Sequence, residues 1–437
     1  MMFRWVIALM AVPTLMAGEN LSLEEALRRA KTNNFELLQA RYETDYAHGE
    51  KNKSYSVFLP QITLSEMAVT TTDPLNVFGF KLKQEIVSAS DFNPALLNDP
   101  KRIDNFTTKI EFKQPLINPD GLLGKSAAHH ALNAMVQKEI RTGFYIDFAV
   151  KAKYYELVLT RQSLAVIDKS LEAAHANRNQ AKNYFDQGMI TKSDFLFAEV
   201  RLLELENKKN EVYNSIKNAN GALKLLLGIE NDEDIIPTDS LKSPQSFSFL
   251  KNVESINNDR SDMRAMKSGM MASRQMIRMQ QFKFLPALNA FGSYEWNDKK
   301  LFGKSGKNWM IGAMLKWDIF TGFDQVGEIQ KAKAQYQSAK NVYQQNRLKN
   351  KSELETALRN LETARKKITL ASEVVQQTSE NFRILSDRYS KGLEKTTDLL
   401  NAEALLANAQ LDYLNALYLY TINVFMLEFL SEEKITD

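Results

Sequence analysis

The chain carries one passage twice. Residues 184–199 read YFDQGMITKSDFLFAE, and residues 388–403 read RYSKGLEKTTDLLNAE. Without a gap, Phe185 falls over Tyr389, Gly188 over Gly392, Asp194 over Asp398, Ala198 over Ala402 and Glu199 over Glu403. Each copy stands between two long proline-free stretches, as the bend of a helical hairpin would. A chain that keeps two near-copies of one hairpin is expected to place them in equivalent positions of one assembly.

The duplication extends beyond the bends. FLPQITL at 58–64 matches FLPALNA at 284–290, and FKQPLIN at 112–118 matches LKWDIFT at 315–321, with Lys113 over Lys316 and Leu116 over Ile319. Each half reads as helix, Phe-Leu-Pro, strand, loop, strand, long helix, tip, helix. The first repeat spans 19–230, with strands at about 61–71 and 105–117 and a tip near 188–194. The second spans 253–430, with strands at about 286–297 and 308–320 and a tip near 392–398. A linker over 231–252, rich in acids and serines with Pro237 and Pro244, joins them, and 431–437 is a tail.

The strands show the period of two that a two-faced sheet requires. Trp309, Ile311, Ala313, Leu315, Trp317 and Ile319 share one face, opposite Gly312, Lys316 and Asp318, with Met310 and Met314 as apolar exceptions. Phe106, Ile110 and Phe112 alternate with Thr107, Lys109, Glu111 and Lys113. Leu288, Ala290, Tyr294 and Trp296 oppose Asn289, Ser293 and Glu295, and Phe291 is out of step. Pro60 and Pro286 precede their strands, where a missing ladder donor is tolerated. Strands of about 10 residues have the length a tilted membrane strand needs. Residues 73–102 and 297–307 read as hairpin loops at an exposed rim.

The remaining segments read as helices. Lys125 to about Gln187 and Gln325 to about Lys391 contain no proline, and each run would be about 90–100 Å long at the usual rise. Small residues such as Ala173, Ala174, Ala332 and Ala339 allow close packing of helices side by side.

The 56 Lys+Arg against 53 Asp+Glu argue against a dedicated nucleic-acid binder. With no cysteine, disulfides, thiolate metal sites, a cysteine nucleophile and a lipidated N-terminal cysteine are excluded. Arg4, the apolar run Trp5 to Met16 and the small residues Ala17 and Gly18 have the layout of a secretory signal peptide over 1–18. No later run of about 20 apolar residues appears, so no transmembrane helix is expected and any membrane crossing falls to β-strands. Four strands with an apolar face cannot close a barrel, and open edges are not tolerated in lipid. Oligomerisation is therefore expected: eight strands from two copies, twelve from three or sixteen from four.

With these features the chain resembles the TolC family of outer-membrane efflux and secretion channels. The resemblance rests on the two Phe-Leu-Pro strand entries, the two strand–loop–strand units and the two Gly-x5-Asp tips, and it covers about residues 19–430. It implies an α+β membrane protein: a homotrimer with one 12-stranded β-barrel, four strands per chain, continued by a long periplasmic α-helical barrel. It also implies a periplasmic adaptor (membrane-fusion) protein and an inner-membrane RND or MFS pump or ABC exporter as partners. The implied function is a passive outer-membrane exit duct of a tripartite efflux pump or type I secretion system, opened at the helical tips. The competing reading is an exported soluble coiled-coil scaffold or periplasmic adaptor.

By the same resemblance, Gly188, Met189, Gly392 and Leu393 would dock the adaptor. Tyr389, Asp194, Asp398 and Glu394 would belong to the periplasmic gate, Tyr389 pointing toward the aperture and Asp398 in an acidic ring. Where the best-known member has an arginine two residues after the second tip glycine, this chain has Glu394. Where that member has a second acidic ring, this chain has Asn401. Lys391, Lys192 and Lys395 are the alternative cations for a closing salt bridge.

Plainer roles compete for the same residues. Asp194 and Asp398 suit helix starts, with Thr191 or Ser193 and Thr396 or Thr397 as N-caps. Gly188 and Gly392 suit helix C-termini. His48, His129, His130 and His175 lack metal-ligand spacing. The methionines of 263–279 read as adaptable packing. Trp296, Trp309 and Trp317 read as an interfacial aromatic girdle. No phosphate loop, nucleophile elbow or HExxH appears, so no enzymatic activity, cofactor or metal is expected.

Overall fold

A computed structural model describes residues 18–243 and 259–433. The expected signal peptide, apart from Gly18, therefore lies outside the described residues, as do 244–252 of the linker, 253–258 at the start of the second repeat and 434–437 of the tail. The element order is β1(Glu19–Leu21), α1(Leu23–Asn33), α2(Phe35–Lys53), β2(Gln61–Thr71), α3(Pro74–Lys83), α4(Pro94–Asn98), β3(Ile103–Ile117), α5(Pro119–Asp186), α6(Lys192–Leu227), β4(Ile235–Pro237), α7(Ser261–Phe282), β5(Ala287–Asp298), β6(Gly306–Lys316), α8(Asp324–Ser390) and α9(Thr396–Ser431). The described residues form two compact units: one of 18–42, 138–243, 259–263 and 345–433, the other of Glu43–Gln137 and Arg264–Gln344.

In the first unit, Ile146, Val150, Tyr154 and Leu157 of α5 interlock with Ala26 and Ala30 of α1 and Leu223 and Leu227 of α6. The i, i+4, i+8, i+11 spacing along α5 puts these four on one stripe. Ser22 caps α1 by accepting from the Glu25 amide at 3.3 Å. Gly228 ends α6 at φ +63, and a Cβ there would stand 2.5 Å from the Asn33 carbonyl oxygen. Only glycine supplies both the left-handed turn and the clearance. Part of the expected linker is ordered: β4 pairs in parallel with β1, Glu19 opposite Ile235 and Leu21 opposite Pro237. The Tyr154 hydroxyl donates to the Leu21 carbonyl at 2.8 Å and to the Asp239 carboxylate at 2.6 Å. Burial raises its pKa.

The expectation of no long apolar helix needs amending for α9. By length and composition this helix is apolar enough to cross a membrane. Its apolar residues are used internally: Leu399, Ala402, Leu417 and Leu427 are buried, and so are Glu403 and Glu428. Glu428 pairs with Lys151 at 2.5 Å, the arrangement of a core helix.

The second unit is built on an antiparallel sheet in the order β2-β3-β5-β6. Its register forms rows across all four strands. Ile62, Phe112, Gly292 and Ile311 make one row, and Leu64, Ile110, Tyr294 and Trp309 the next on the same face. Thr63, Glu111, Ser293 and Met310, then Ser65, Lys109, Glu295 and Asn308, make rows on the other. One face is thus apolar and the other largely polar, because every strand keeps the same two-residue alternation in register. Phe291, out of step in the sequence, lies across Gly312, whose missing Cβ leaves room for the ring. Strand β6 stops at Lys316, short of the expected 320. Its partner β5 begins at Ala287, directly after Pro286, which has no N–H to extend the ladder. Leu116 is bulged out of β3 between Pro115 and Ile117.

The expected irregular loop over 73–102 contains helices. Asp73 caps α3 by accepting from Asn76 at 2.8 Å, and Asn93 caps α4 from Ala95 at 3.0 Å; each helix begins on a proline. The Asp-Pro and Asn-Pro pairs that read as loop punctuation are helix starts.

Replacing Tyr154 by Phe removes the hydroxyl that ties β1 to the segment after β4. It should cost about 1–2 kcal/mol, seen as a lower unfolding midpoint and faster proteolysis between 231 and 243. Unchanged proteolysis would show that the strand pair holds without it.

Candidate functional site

The two bends lie together in the first unit and end their incoming helices in the same way. At the first, the Gly188 amide donates to the Phe185 carbonyl at 2.9 Å and the Met189 amide to Tyr184 at 2.8 Å, with Gly188 at φ +70. At the second, Gly392 donates to Tyr389 at 2.9 Å and Leu393 to Arg388 at 2.9 Å, with Gly392 at φ +72. Both are Schellman turns, which need a left-handed residue just past the helix. A Cβ on either glycine would meet open space. The backbone angle, not crowding, calls for glycine at both positions.

The outgoing helices start differently. At α6, the Thr191 hydroxyl accepts from the Asp194 amide at 3.2 Å, while the Asp194 carboxylate accepts from the Thr191 amide at 3.1 Å and hydroxyl at 2.7 Å. This is a reciprocal capping box. At α9 the cap position is Lys395, with no side-chain cap bond. The Thr396 hydroxyl, a candidate cap in the sequence, instead shares a 3.2 Å hydrogen bond with the Tyr389 hydroxyl. Asp398 sits in the first turn, half-buried.

Tyr389 is the packing centre of the paired bends. Only 2 % of it is exposed, and the Tyr184 ring meets it edge-on at 5.7 Å. The Tyr184 hydroxyl donates toward the Tyr389 and Ser390 carbonyls at 3.4 and 3.3 Å. Burial raises the Tyr389 pKa, and nearby Tyr184 and Asp194 add to the effect. Around these rings lies a notch of about 680 Å³ lined by Tyr184, Gly188, Asp194, Tyr389, Gly392 and Glu394. Met189 and Leu393 project at the turns, 60 % and 65 % exposed.

Glu394 pairs with Arg388 at 2.9 Å, across the turn within its own chain. Arg388 is not among the cations that the sequence suggests. Its signal is a six-residue spacing that only the tight glycine turn brings into reach. Lys391 is engaged with Asp387 at 2.7 Å. One turn deeper lies a buried ion pair that sequence reasoning also misses. Glu403 is 3 % exposed, both its carboxylate oxygens lack a hydrogen-bond partner, and Arg201 stands 3.5 Å away. Its duplicate Glu199 is half-buried and pairs with Arg178 on its own hairpin at 2.8 Å. Ala181, Ala198 and Leu400 form a small apolar cluster between the hairpins.

Trp296, Trp309 and Trp317 belong to the other unit. Trp296 and Trp309 point to the apolar face of the sheet. Trp317 lies just past β6, and its indole N–H donates to the Phe284 carbonyl at 2.9 Å. Trp309 and Trp317, eight residues apart along the chain, are separated in the strand direction by about 27 Å. Among the described residues no cluster of His, Asp and Glu has metal-binding geometry.

Residues 253–431 match the family model described as outer membrane efflux protein. Outer membrane protein TolC of Vibrio cholerae serotype O1 is 21 % identical over 98 % of this chain and 95 % of its own length. Outer membrane protein VceC of Vibrio cholerae superposes with a TM-score of 0.77 at 18 % identity, over 95 % of this chain and 97 % of its own. The CmeC outer membrane channel of Campylobacter jejuni does so with a TM-score of 0.80 at 17 % identity, over 95 % and 87 %. At such identities the structural likeness establishes a shared fold.

Desolvation holds the Glu403 carboxyl above its ordinary value of 4.5, against the pull of Arg201. An acid raised on folding favours the folded state fully below its unfolded pKa and loses that contribution as pH rises through the folded one. On acidification from neutrality toward 4.5, a Glu403→Gln variant should therefore gain less thermal stability than the parent. Equal gains in unfolding midpoint would exclude this linkage.

Proposed function

We propose that this chain, a TolC homologue whose residues 253–431 match the outer membrane efflux protein family, is the outer-membrane exit duct of a tripartite efflux pump or type I secretion system. The observation that carries the reading is the sheet of the second unit: one face apolar, the other largely polar, with β2 and β6 left as edges. Exposed Ile62, Leu64, Trp309, Ile311 and Leu315 on one face suit lipid. Lys109, Glu111, Ser65 and Asn308 on the other suit a water-filled bore.

Three copies supply twelve strands in a closed barrel, each β6 edge pairing with the β2 edge of the next copy. Closure removes the unpaired backbone groups that lipid does not tolerate. At a strand tilt of about 40°, the about 27 Å between Trp309 and Trp317 projects to about 20 Å along the barrel axis, near the two edges of an apolar band about 25 Å tall. Trp296 joins the girdle near Trp309. The helices extend into the periplasm, and their tips form the end that opens.

At those tips Gly188, Met189, Gly392 and Leu393 dock a periplasmic adaptor, with the exposed Met189 and Leu393 as apolar contacts. Tyr389, Asp194, Asp398 and Glu394 form the gate region. Tyr389, buried between the two bends, acts there as the packing that opening must disturb. Glu394 has its cation within the chain, so closure does not depend on a salt bridge from Glu394 to a neighbouring copy. The duct performs no chemistry; an inner-membrane RND or MFS pump or ABC exporter provides the energy and selects the cargo.

A detergent-extracted trimer with single-channel conductance in planar bilayers is the expected behaviour. A monomer recovered from the soluble periplasmic fraction would overturn the duct in favour of a scaffold. Within the duct, Met189→Asp combined with Leu393→Asp should leave trimer yield unchanged and abolish adaptor-dependent export. Full export by the double variant would remove these residues from the docking surface.

A further inference from the structure

The segment between β2 and β3 does not stand free of the sheet. It folds back across the polar face, at the end of the strands away from the Phe-Leu-Pro entries. Helix α3 lies against β3 and β6, with Val77 only 2 % exposed beneath it. The chain leaves α3 through a Schellman turn with Glu85 at φ +58, the Ile86 amide donating to the Lys81 carbonyl at 3.0 Å. A glutamate in this left-handed position costs roughly 1 kcal/mol, so the surrounding contacts hold it there.

Those contacts are polar and buried. The Gln84 side-chain amide donates to Asn105 Oδ1 at 2.8 Å and to the Asp104 carbonyl at 3.0 Å. Asn105 Nδ2 donates to Thr107 Oγ1 at 2.8 Å and to Asn297 Oδ1 at 3.0 Å. Gln84 is 1 % exposed, and Asn105 and Asn297 are fully buried. Beside them the Lys83 ammonium pairs with Glu295 at 2.9 Å. Gly306 passes so close under the Lys83 carbonyl that a Cβ there would collide with it. Asn105, Thr107, Glu295 and Asn297 all lie on the face that a bore would hydrate. Here the segment covers them: Gln84 bonds Asn105 and Lys83 pairs with Glu295, while Thr107 and Asn297 are held through Asn105.

Resting on the duct reading above, we propose that residues 73–102 form a collar inside the exterior mouth, fastened through Lys83 and Gln84, that sets the size of solute able to pass there. A helix with its side chains is about 10 Å thick. Three collars, one from each copy, narrow a twelve-stranded bore from three sides. The tips govern opening to the periplasm; the collar imposes a size limit at the exterior mouth.

The natural absence of cysteine permits a direct test in intact cells. Thr63→Cys places a single thiol on the polar face, level with Glu111 and Ser293 and beyond the collar as seen from outside. Lys299→Cys, exposed in the β5–β6 connection, is the exterior control. A small maleimide added outside should label both. A bulky poly(ethylene glycol) maleimide should label the control but reach Thr63→Cys slowly.

Lys83→Ala with Gln84→Ala removes both fastenings from the segment and leaves the strands intact. Gly306→Ala pushes the segment away without removing a polar group. Each should raise bulky-reagent labelling of Thr63→Cys roughly tenfold, the scale of a buried hydrogen bond lost. Equal bulky labelling with and without the fastenings, at unchanged trimer yield, overturns the collar. Failure of the small reagent at Thr63→Cys, with the control labelled, would show that the polar face is not a bore and overturn the duct itself.

Discussion

A β-strand presents its hydrogen-bonding groups sideways, and among the described residues of one chain no strand pairs with the outer side of either edge of this sheet. Strands β2 and β6 each run eleven residues, with one side of the ladder unused. In water such an edge is a hazard of misassociation; in hydrocarbon each unpaired group costs several kcal/mol. The alternation along the strands then has a direct meaning. An apolar face requires lipid or a core, a polar face requires water or a polar cover, and the proposed closure through further copies would meet all three demands. On that proposal assembly is a condition on the sheet's backbone as much as a property of the surface.

The sequence is most legible where a period or a duplication carries the information. Strand alternation survives the absence of any tertiary knowledge because it is local, and the two bends announce themselves by repetition. What stays hidden depends on contacts between distant residues. Gln84 and Asn297 are 213 positions apart along the chain, and no pattern near either says that both belong to one buried cluster. The segment 73–102 reads as irregular because its Asp, Asn and Pro punctuation is shared by turns and helix starts. Which one results depends on whether a helix finds a surface to cover. Arg388 escapes notice because ion pairs on helices are sought three or four residues apart, whereas the turn at Gly392 brings together residues six apart.

The two bends show how a duplication diverges. Their incoming halves are nearly interchangeable, since a left-handed turn after a helix admits few solutions. Their outgoing halves differ: one closes with the Thr191–Asp194 box, the other with a threonine turned inward to Tyr389. The first start is capped by its own Thr191 and Asp194, and at the second the threonine bonds a ring packed against the other hairpin. Glu199 and Glu403 repeat the contrast deeper in the hairpins, one half-buried beside its own Arg178, the other buried and reaching across to Arg201.

Helices α5 and α8 run 68 and 67 residues, and α6 and α9 run 36 each. An inserted residue advances everything beyond it by about 1.5 Å and turns it by about 100°. A single insertion in one arm would rotate its bend away from the partner it packs on, whatever residue was added. Substitutions can accumulate on the exposed faces of these arms, while insertions are tolerated only in matched sets or whole turns. Arm length, as well as the identity of the buried stripe, is what heredity must preserve in such a molecule.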